Sequence, residues 1–337
     1  MKQVYKFLSK HLFYFLICAL ACTGSGSLAM YLGYNSKTSW LQVSGACTIL
    51  FAIIILATVA YAIFISYKMP SCHITRIKKK YTFLKITSVL AFVLLFFMFI
   101  RETWTLIKAT YQDAQETFFS TWRFLKYIAS LPASVYFLIM ALPSRTRRRK
   151  RIEIPKLVQY ITSIGLIAWG VFGLLAAYFY DIMSFKNILK IWQLLIYLAL
   201  IVFFLFEAKF VHLNDGKRTH RGYIFTGLLS FIVAMAFSLS TTISMIFRVV
   251  PTDTGVSFSA VEVFTSFAIG LYALSRICAY NNTVRTIIYN SDAPSSSKFH
   301  GHRHHHSSHR HHSSDDTDTV EINAVKASNT DTTEENA

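Results

Sequence analysis

The chain alternates between long runs of hydrophobic residues and shorter polar segments. Eight runs are close to the length of about 20 residues that a helix needs to cross the hydrocarbon layer of a membrane. None shows the alternating polarity of a membrane β-strand, and unpaired backbone groups are costly in lipid, so each run is predicted to be a helix. The predicted spans cover residues 12–33, 45–67, 82–100, 124–143, 157–179, 188–208, 222–247 and 256–279.

These runs predict an all-α integral membrane protein with about eight transmembrane helices. Residues 1–11 form a cytoplasmic N-terminal segment, residues 12–279 a polytopic transmembrane domain, and residues 280–337 a mostly disordered cytoplasmic tail. The tail is rich in His, Ser and Asp and has few apolar residues after Phe299. Such a segment cannot bury enough surface to fold by itself.

Composition agrees with a membrane protein. The mean hydropathy is +0.41 and only 15% of the residues are charged, whereas soluble domains have roughly 25%. A net charge of +17 would ordinarily suggest nucleic acid, but the Lys and Arg residues stand between hydrophobic runs rather than on one face. The predicted partner is therefore the lipid bilayer and not nucleic acid. The basic loop 144–156 also suits anionic lipid headgroups, although its commoner role is to anchor the topology.

Basic residues also predict the orientation. Lys and Arg are concentrated in segments 1–10, 68–85, 145–156 and 209–221, which all lie on the same side of the membrane if eight spans cross it. Basic loops stay in the cytoplasm, so both termini are predicted to be cytoplasmic, in the plasma membrane or an endomembrane of a eukaryotic cell. The sequon Asn281-Asn282-Thr283 would then stay unglycosylated.

The first run has a second interpretation. Residues 1–24 have a basic start, an apolar stretch and the small residues Ala19 and Ala21, as a cleavable signal peptide does. Cleavage near Ala21 would leave seven spans. We favour retention because the apolar run continues to bilayer length and because small residues suited to helix packing form a stripe along it. The stripe consists of Cys18, Cys22, Ser25 and Ala29.

An internal duplication is a further hypothesis. The centres of spans one to three recur about 145 residues later in spans five to seven, and "FMFIR" at 97–101 resembles "SMIFR" at 244–248. A repeat of four spans predicts two parallel four-helix halves, related by an axis along the membrane normal. Regular helix and loop lengths would produce the same offsets without duplication.

Glu262 is the ionisable residue that lies clearly inside a predicted span. It sits about 9 Å from the start of span eight at 1.5 Å per residue, and Thr241 and Thr242 reach the same depth on span seven. Ser238 and Thr242 lie one turn apart on one helix face. A carboxylate opposite hydroxyls predicts an ion- or ligand-binding pocket between the last two spans. The alternative is structural, since such hydroxyls often bond to their own helix or join neighbouring helices.

Other ionisable residues lie at or near the ends of predicted spans. Interfacial anchoring or pairing with a neighbour is the expected role there. They are Arg101, Glu102, Asp181, Glu207, Lys209 and Arg276.

Eight of the twelve histidines lie in the tail, and the other four fall in the predicted cytoplasmic flanks of the spans. Metal transport needs ligands at membrane depth, so the tail is predicted to bind metal only weakly and without specificity, through residues such as His302, His304, His305 and His306. Ser313 and Ser314 precede two aspartates, which predicts regulatory kinases or adaptors as partners of the tail. No cofactor is predicted.

The chain has no catalytic motif such as G-x-S-x-G or H-E-x-x-H, and we predict that it is not an enzyme. The favoured hypothesis is a transporter or channel-like protein for a small solute, ion or lipid, with a polar site at Glu262. The alternative is a non-catalytic membrane scaffold or assembly factor, or a seven-span receptor-like sensor if the first span is cleaved.

Overall fold

The computed structural model describes residues 2–35, 40–41, 45–69, 81–111, 121–142, 155–179, 188–212, 217–247 and 260–292. Within these ranges it has 8 helical spans long and apolar enough to cross a membrane, as the hydrophobic runs predicted. Met1–Ala293 form one compact unit. The rest of the tail, including its histidines, lies outside the described residues, as does the basic loop 144–154.

Nine α-helices, one π-helical segment and one short strand pair make up the described part of the chain. The helices are α1 (Lys2–Gly33), α2 (Ala46–Lys68), α3 (Thr82–Tyr111), α4 (Thr121–Ala141), α5 (Lys156–Phe179), α6 (Ile188–His212), α7 (Lys217–Val233), α8 (Ser240–Ile246) and α9 (Ala260–Asp292). The π-helical segment Ala234–Leu239 joins α7 to α8 within one span. Strands β1 (Tyr34–Asn35) and β2 (Trp40–Leu41) pair antiparallel in the connection between α1 and α2.

Several helices continue beyond the hydrophobic runs. α1 begins at Lys2 rather than near residue 12, and α9 ends at Asp292 rather than near 279. A hydrophobic run marks the part of a helix at membrane depth, whereas backbone hydrogen bonds continue into polar flanks that have helix-forming residues. His11, His212 and His220, which were predicted to lie in the flanks of the spans, belong to these longer helices. His11 lies 2.7 Å from the Tyr61 hydroxyl.

The surface of the bundle is apolar where lipid is expected. Large aliphatic and aromatic side chains such as Phe13, Ile53, Leu56, Ile86 and Phe97 are about half exposed or more. A water-soluble protein rarely shows so much contiguous apolar surface. The interior instead holds aromatic rings together with the polar and charged residues described below.

The π-helical segment packs between α1 and α9. Thr23 of α1 donates to the Met235 carbonyl at 3.2 Å, and Ser240 donates back to the Thr23 carbonyl at 3.1 Å. On the other side Gly270 of α9 lies directly against Ala234. These small residues let three backbones approach closely, which is how helices commonly pack in membranes. Cys22, Ser25 and Ala29 of the predicted small-residue stripe are buried.

Helix neighbours differ between the two proposed halves of the chain. In the second half α6 packs along α7, whereas α2, the corresponding helix of the first half, packs on α1 and α7 rather than along α3 over the residues described. The other neighbouring pairs recur, α1 on α2 like α5 on α6 and α3 on α4 like α7 on α9, so the two parallel halves stay a prediction. α4 packs between α3 and α5, and α3 also packs on α9.

Candidate functional site: two charge clusters inside the bundle

Glu262 lies in the interior of the bundle, at the beginning of α9. Its Oε1 is in direct contact with Lys126 Nζ of α4, and it accepts a hydrogen bond of 2.7 Å from the Tyr197 hydroxyl of α6. The Lys126 and Glu262 side chains are only 5% and 8% exposed. We call Lys126, Tyr197 and Glu262 the Glu262 cluster. An acid, a base and a phenol from three helices meet there.

The packing around Tyr197 fixes the position of its hydroxyl. The Lys126 ammonium lies 5.2 Å from the centre of the Tyr197 ring, and the indole of Trp169 meets the ring edge to face at 5.6 Å. Gly173 of α5 leaves room for the ring, since a Cβ there would lie 2.5 Å from its Cε1. Tyr197 is therefore held by a cation–π contact, an aromatic neighbour and a close helix approach.

A second cluster surrounds Glu207 near the other end of α6. Glu207 Oε1 lies 2.6 Å from Arg276 Nη2 and accepts hydrogen bonds from Tyr136 at 3.0 Å and from Tyr272 at 3.4 Å. The Arg276 and Glu207 side chains are 3% and 2% exposed. We call Tyr136, Glu207, Tyr272 and Arg276 the Glu207 cluster. Three donors thus converge on a single carboxylate oxygen.

Some polar atoms of the Glu207 cluster are buried without a hydrogen-bond partner among the described residues. They include Glu207 Oε2, Arg276 Nε and the nearby Tyr223 hydroxyl. The buried Tyr223 lies close enough to Glu207 to interact with its carboxylate. Buried polar groups are normally satisfied, and those that are not often mark a place where water, an ion or a ligand binds. The free acceptor on Glu207 is the clearest such atom.

Both clusters are held by the same three helices. α4 supplies Lys126 and then Tyr136, α6 supplies Tyr197 and then Glu207, and α9 supplies Glu262 and then Arg276. The residues advance in the same order on each helix, so the three helices run parallel. At 1.5 Å per residue the clusters are about 15 Å apart along α4 and α6 and about 21 Å apart along α9.

Aromatic side chains fill the space next to the Glu207 cluster. The rings of Phe137 and Tyr272 meet edge to face at 4.8 Å, and Phe203 lies 6.5 Å from Tyr272. Beyond Tyr223, Phe210 stacks on its ring at 4.8 Å, and the Tyr280 hydroxyl lies 3.4 Å from His220 Nδ1. Tyrosines therefore line this end of the bundle interior.

The hydroxyls that the sequence placed opposite Glu262 lie in the seventh span. Ser238 and Thr241 are buried, and the Thr242 hydroxyl donates to the Ser238 carbonyl of its own helix at 2.8 Å. The contacts described above for the Glu262 carboxylate come from α4 and α6. Ser238 Oγ is buried without a hydrogen-bond partner among the residues described. Ligand binding by these residues stays a prediction.

No known protein family, curated protein or solved structure matches this chain. Its function must therefore be inferred from the clusters themselves. Across the described ranges, no group of three or more His, Cys, Asp or Glu side chains is placed to hold a metal ion. His302, His304, His305 and His306 lie outside those ranges, so their metal binding stays a prediction.

The Glu207 cluster was not recognised from the sequence as a candidate site. Glu207 and Arg276 were placed near span ends, with anchoring or pairing as their expected role, and they do pair with each other, in the interior of the bundle. One signal was available: an acid and a base occur near the same end of two predicted spans. Charges at matched depth in a membrane interior are expected to pair. The tyrosines that complete the cluster carry no such signal, because tyrosine is common in any membrane helix.

Proposed function

We propose that the protein is a transporter for a small cation, or for a small solute whose movement is coupled to a proton or cation. The observation that carries this proposal is the pair of buried acid–base clusters held by α4, α6 and α9. Charged residues inside a membrane are costly and usually mark the path of an ion or substrate. Two clusters of charged residues that lie in line along one group of helices suit such a path.

The composition of each cluster suits exchange of a cation. In the Glu262 cluster a proton or metal cation arriving at Glu262 would compete with the Lys126 ammonium for the same carboxylate oxygen. In the Glu207 cluster the Arg276 guanidinium occupies Oε1, while Oε2 has no partner among the described residues. Protonation or cation binding at either carboxylate would weaken its hold on the basic side chain and so change the attraction between α9 and its neighbours.

A purely structural role explains the clusters less well. A buried ion pair is often no more stabilising than a well-packed apolar pair, because removing both charges from water is expensive. Carboxylate and guanidinium atoms without partners raise that expense further. Retaining such groups is easier to explain if they bind something.

The orientation is part of the same proposal. With both termini in the cytoplasm, as the positive-inside pattern predicts, the Glu262 cluster lies toward the outer side of the membrane and the Glu207 cluster toward the cytoplasm. A cargo entering from outside would then meet Glu262 first.

The test is charge movement by the purified full chain in proteoliposomes. On a solid-supported membrane, jumps in pH, Na⁺ or K⁺ concentration should produce transient currents absent from empty liposomes. Glu262→Gln and Glu207→Gln should each reduce the responding current by about tenfold or more, as expected when a group that binds the cargo is lost. Glu321→Gln removes a carboxylate from the tail and should leave the current unchanged.

The outcomes separate the two functional hypotheses. Wild-type liposomes that give no current with any of these jumps would contradict cation-coupled transport and favour the scaffold or sensor. Currents that persist in both glutamate variants, with protein abundance and orientation in the liposomes matched, would exclude the clusters as the path.

A further inference from the structure

A groove lies between the first turns of α1 and the last turns of α9. It has a volume of about 480 Å³. Its charged lining is entirely basic over the described residues: Lys2 and Lys6 from α1 and Arg285 from α9. Tyr5, Asn282 and Thr286 supply polar groups beside them. This groove is separate from both charge clusters, because Arg285 lies about 13 Å beyond Arg276 along α9 at 1.5 Å per residue.

We propose that this groove binds a phosphate-bearing anion, and that in the membrane the anion is the headgroup of an anionic phospholipid. Basic side chains from two helices line this groove, and a phosphate group among them would be attracted by their positive charges. Charge-assisted hydrogen bonds to phosphate oxygens are among the stronger polar contacts that proteins make.

The backbone of α1 adds to the attraction. The first backbone N–H groups of a helix lack partners within the helix, and the helix dipole places partial positive charge at that end. Lys2 and Lys6 stand on consecutive turns at the start of α1, so their ammonium groups and this helix end act on the same region. Arg285 of α9 lies on the opposite wall of the groove. Its guanidinium is 5.8 Å from the centre of the Tyr5 ring.

The position of the groove favours a lipid as the source of the phosphate. Lys2 and Arg285 lie toward the polar ends of two helices whose middle parts have the hydropathy of membrane spans. Basic residues at such positions meet the headgroup layer, where anionic lipids are available at high local concentration. Ile288 in the lining provides an apolar surface on which the upper part of an acyl chain can rest.

Binding of short-chain phospholipids to the detergent-solubilised full chain tests the proposal. Dioctanoyl phosphatidylglycerol should bind at least tenfold more tightly than dioctanoyl phosphatidylcholine, whose headgroup carries a compensating positive charge. The double variant Lys6→Gln and Arg285→Gln should weaken phosphatidylglycerol binding by about tenfold or more, because it loses two charge-assisted contacts. Lys10→Gln is the matched control, since Lys10 is an exposed cation of the same helix that does not line the groove.

Competition with inorganic phosphate shows whether the bound phosphate group comes from solution or from a lipid headgroup. If inorganic phosphate displaces phosphatidylglycerol at a concentration similar to that of the lipid, the groove binds free phosphate from solution. If it does not, the groove binds the lipid headgroup. Equal binding of phosphatidylglycerol by the wild type and the double variant, or equal binding of both lipids by the wild type, would overturn the proposal. Thermal midpoints measured without lipid verify that the variants are folded, and Lys6→Gln alone provides a milder variant at an exposed position.

Discussion

Arg276 and Glu207 join α9 to α6 through an ion pair of 2.6 Å in which both side chains are almost wholly buried. The pair lies among tyrosines, and one oxygen of the carboxylate carries all of its described contacts. The pair therefore connects two helices strongly while leaving part of its own hydrogen-bonding capacity unused.

A double-mutant cycle should reveal this coupling. Removing one partner leaves a buried charge uncompensated, so Glu207→Met or Arg276→Met alone should destabilise the protein by about 3–5 kcal/mol. The double variant should be more stable than the sum of the two losses predicts, because no lone charge then stays buried. Unfolding midpoints in detergent micelles measure this difference. Additive losses would show that the two side chains do not depend on each other.

Substitution of Gly173 should disturb Tyr197 and, through it, the Glu262 cluster. A Cβ at residue 173 would lie 2.5 Å from Cε1 of the Tyr197 ring, so Gly173→Ala forces the ring or α5 to move. We expect a loss of about 1–3 kcal/mol, as for other overpacked sites. The control is Gly24→Ala in α1, where a Cβ would meet nothing within 4 Å. That variant should be neutral or up to about 1 kcal/mol more stable, since alanine favours a helix.

Two nearby serines in the seventh span should respond differently to alanine. Ser240 donates to the Thr23 carbonyl, so Ser240→Ala should lower stability by about 0.5–1.5 kcal/mol. Ser238 Oγ is buried without a partner among the described residues, so Ser238→Ala should not lower stability. If Ser238→Ala nevertheless reduces the transport current, the hydroxyl acts on cargo. A large loss of stability from Ser238→Ala would instead indicate a structural bond.

The topology can be tested with reporters. A reporter after residue 290 and one between Arg145 and Lys156 should read cytoplasmic, whereas one between Lys108 and Glu116 should read outside. Native Asn281 should lack glycan, both because it faces the cytoplasm in this topology and because its sequon lies within α9, where Asn281 is buried. A glycan on Asn281 would contradict both reasons.

The tail should be dispensable for folding and for metal handling. Truncation after Asp292 keeps α9 whole and removes residues that the sequence predicts to be disordered. We expect unchanged membrane insertion and unchanged metal tolerance of cells, both for this truncation and for replacement of the eight tail histidines by asparagine. A shift in cellular metal content caused by the histidine replacement alone would show that the tail has a metal role.

The spans could be predicted from sequence because hydrophobic run length is a property of contiguous residues. Each of the eight runs corresponds to one helical span, and α2 begins and ends within one residue of the predicted run. Helix ends such as Lys2 and Asp292 were missed because polar flanks continue a helix without changing its membrane depth. Helix formation and membrane insertion have different requirements, so the hydrophobic pattern locates the ends of a membrane span but not the ends of the helix that contains it.

The site was only partly predictable. A lone acid in an apolar run identified Glu262 as unusual, and the structure places it in a buried cluster. Its partners Lys126 and Tyr197 come from helices far away in sequence, and hydropathy carries no information on which helices meet. Lys126 stands near the start of a predicted span and was not singled out from the sequence, although it is 5% exposed in its pair with Glu262.

The π-helical segment sets the register between the two α-helical parts of the seventh span. A π turn contains one more residue than an α turn would, so winding Ala234–Leu239 into a regular α-helix would rotate α8 by about 100° relative to α7. The hydrogen bonds between Thr23 and the segment's neighbourhood, together with the contact of Gly270 with Ala234, hold the span in its π-helical register. The π turn therefore sets which side of α8 faces α1, and it is this side that carries the buried Ser240 and Ser244.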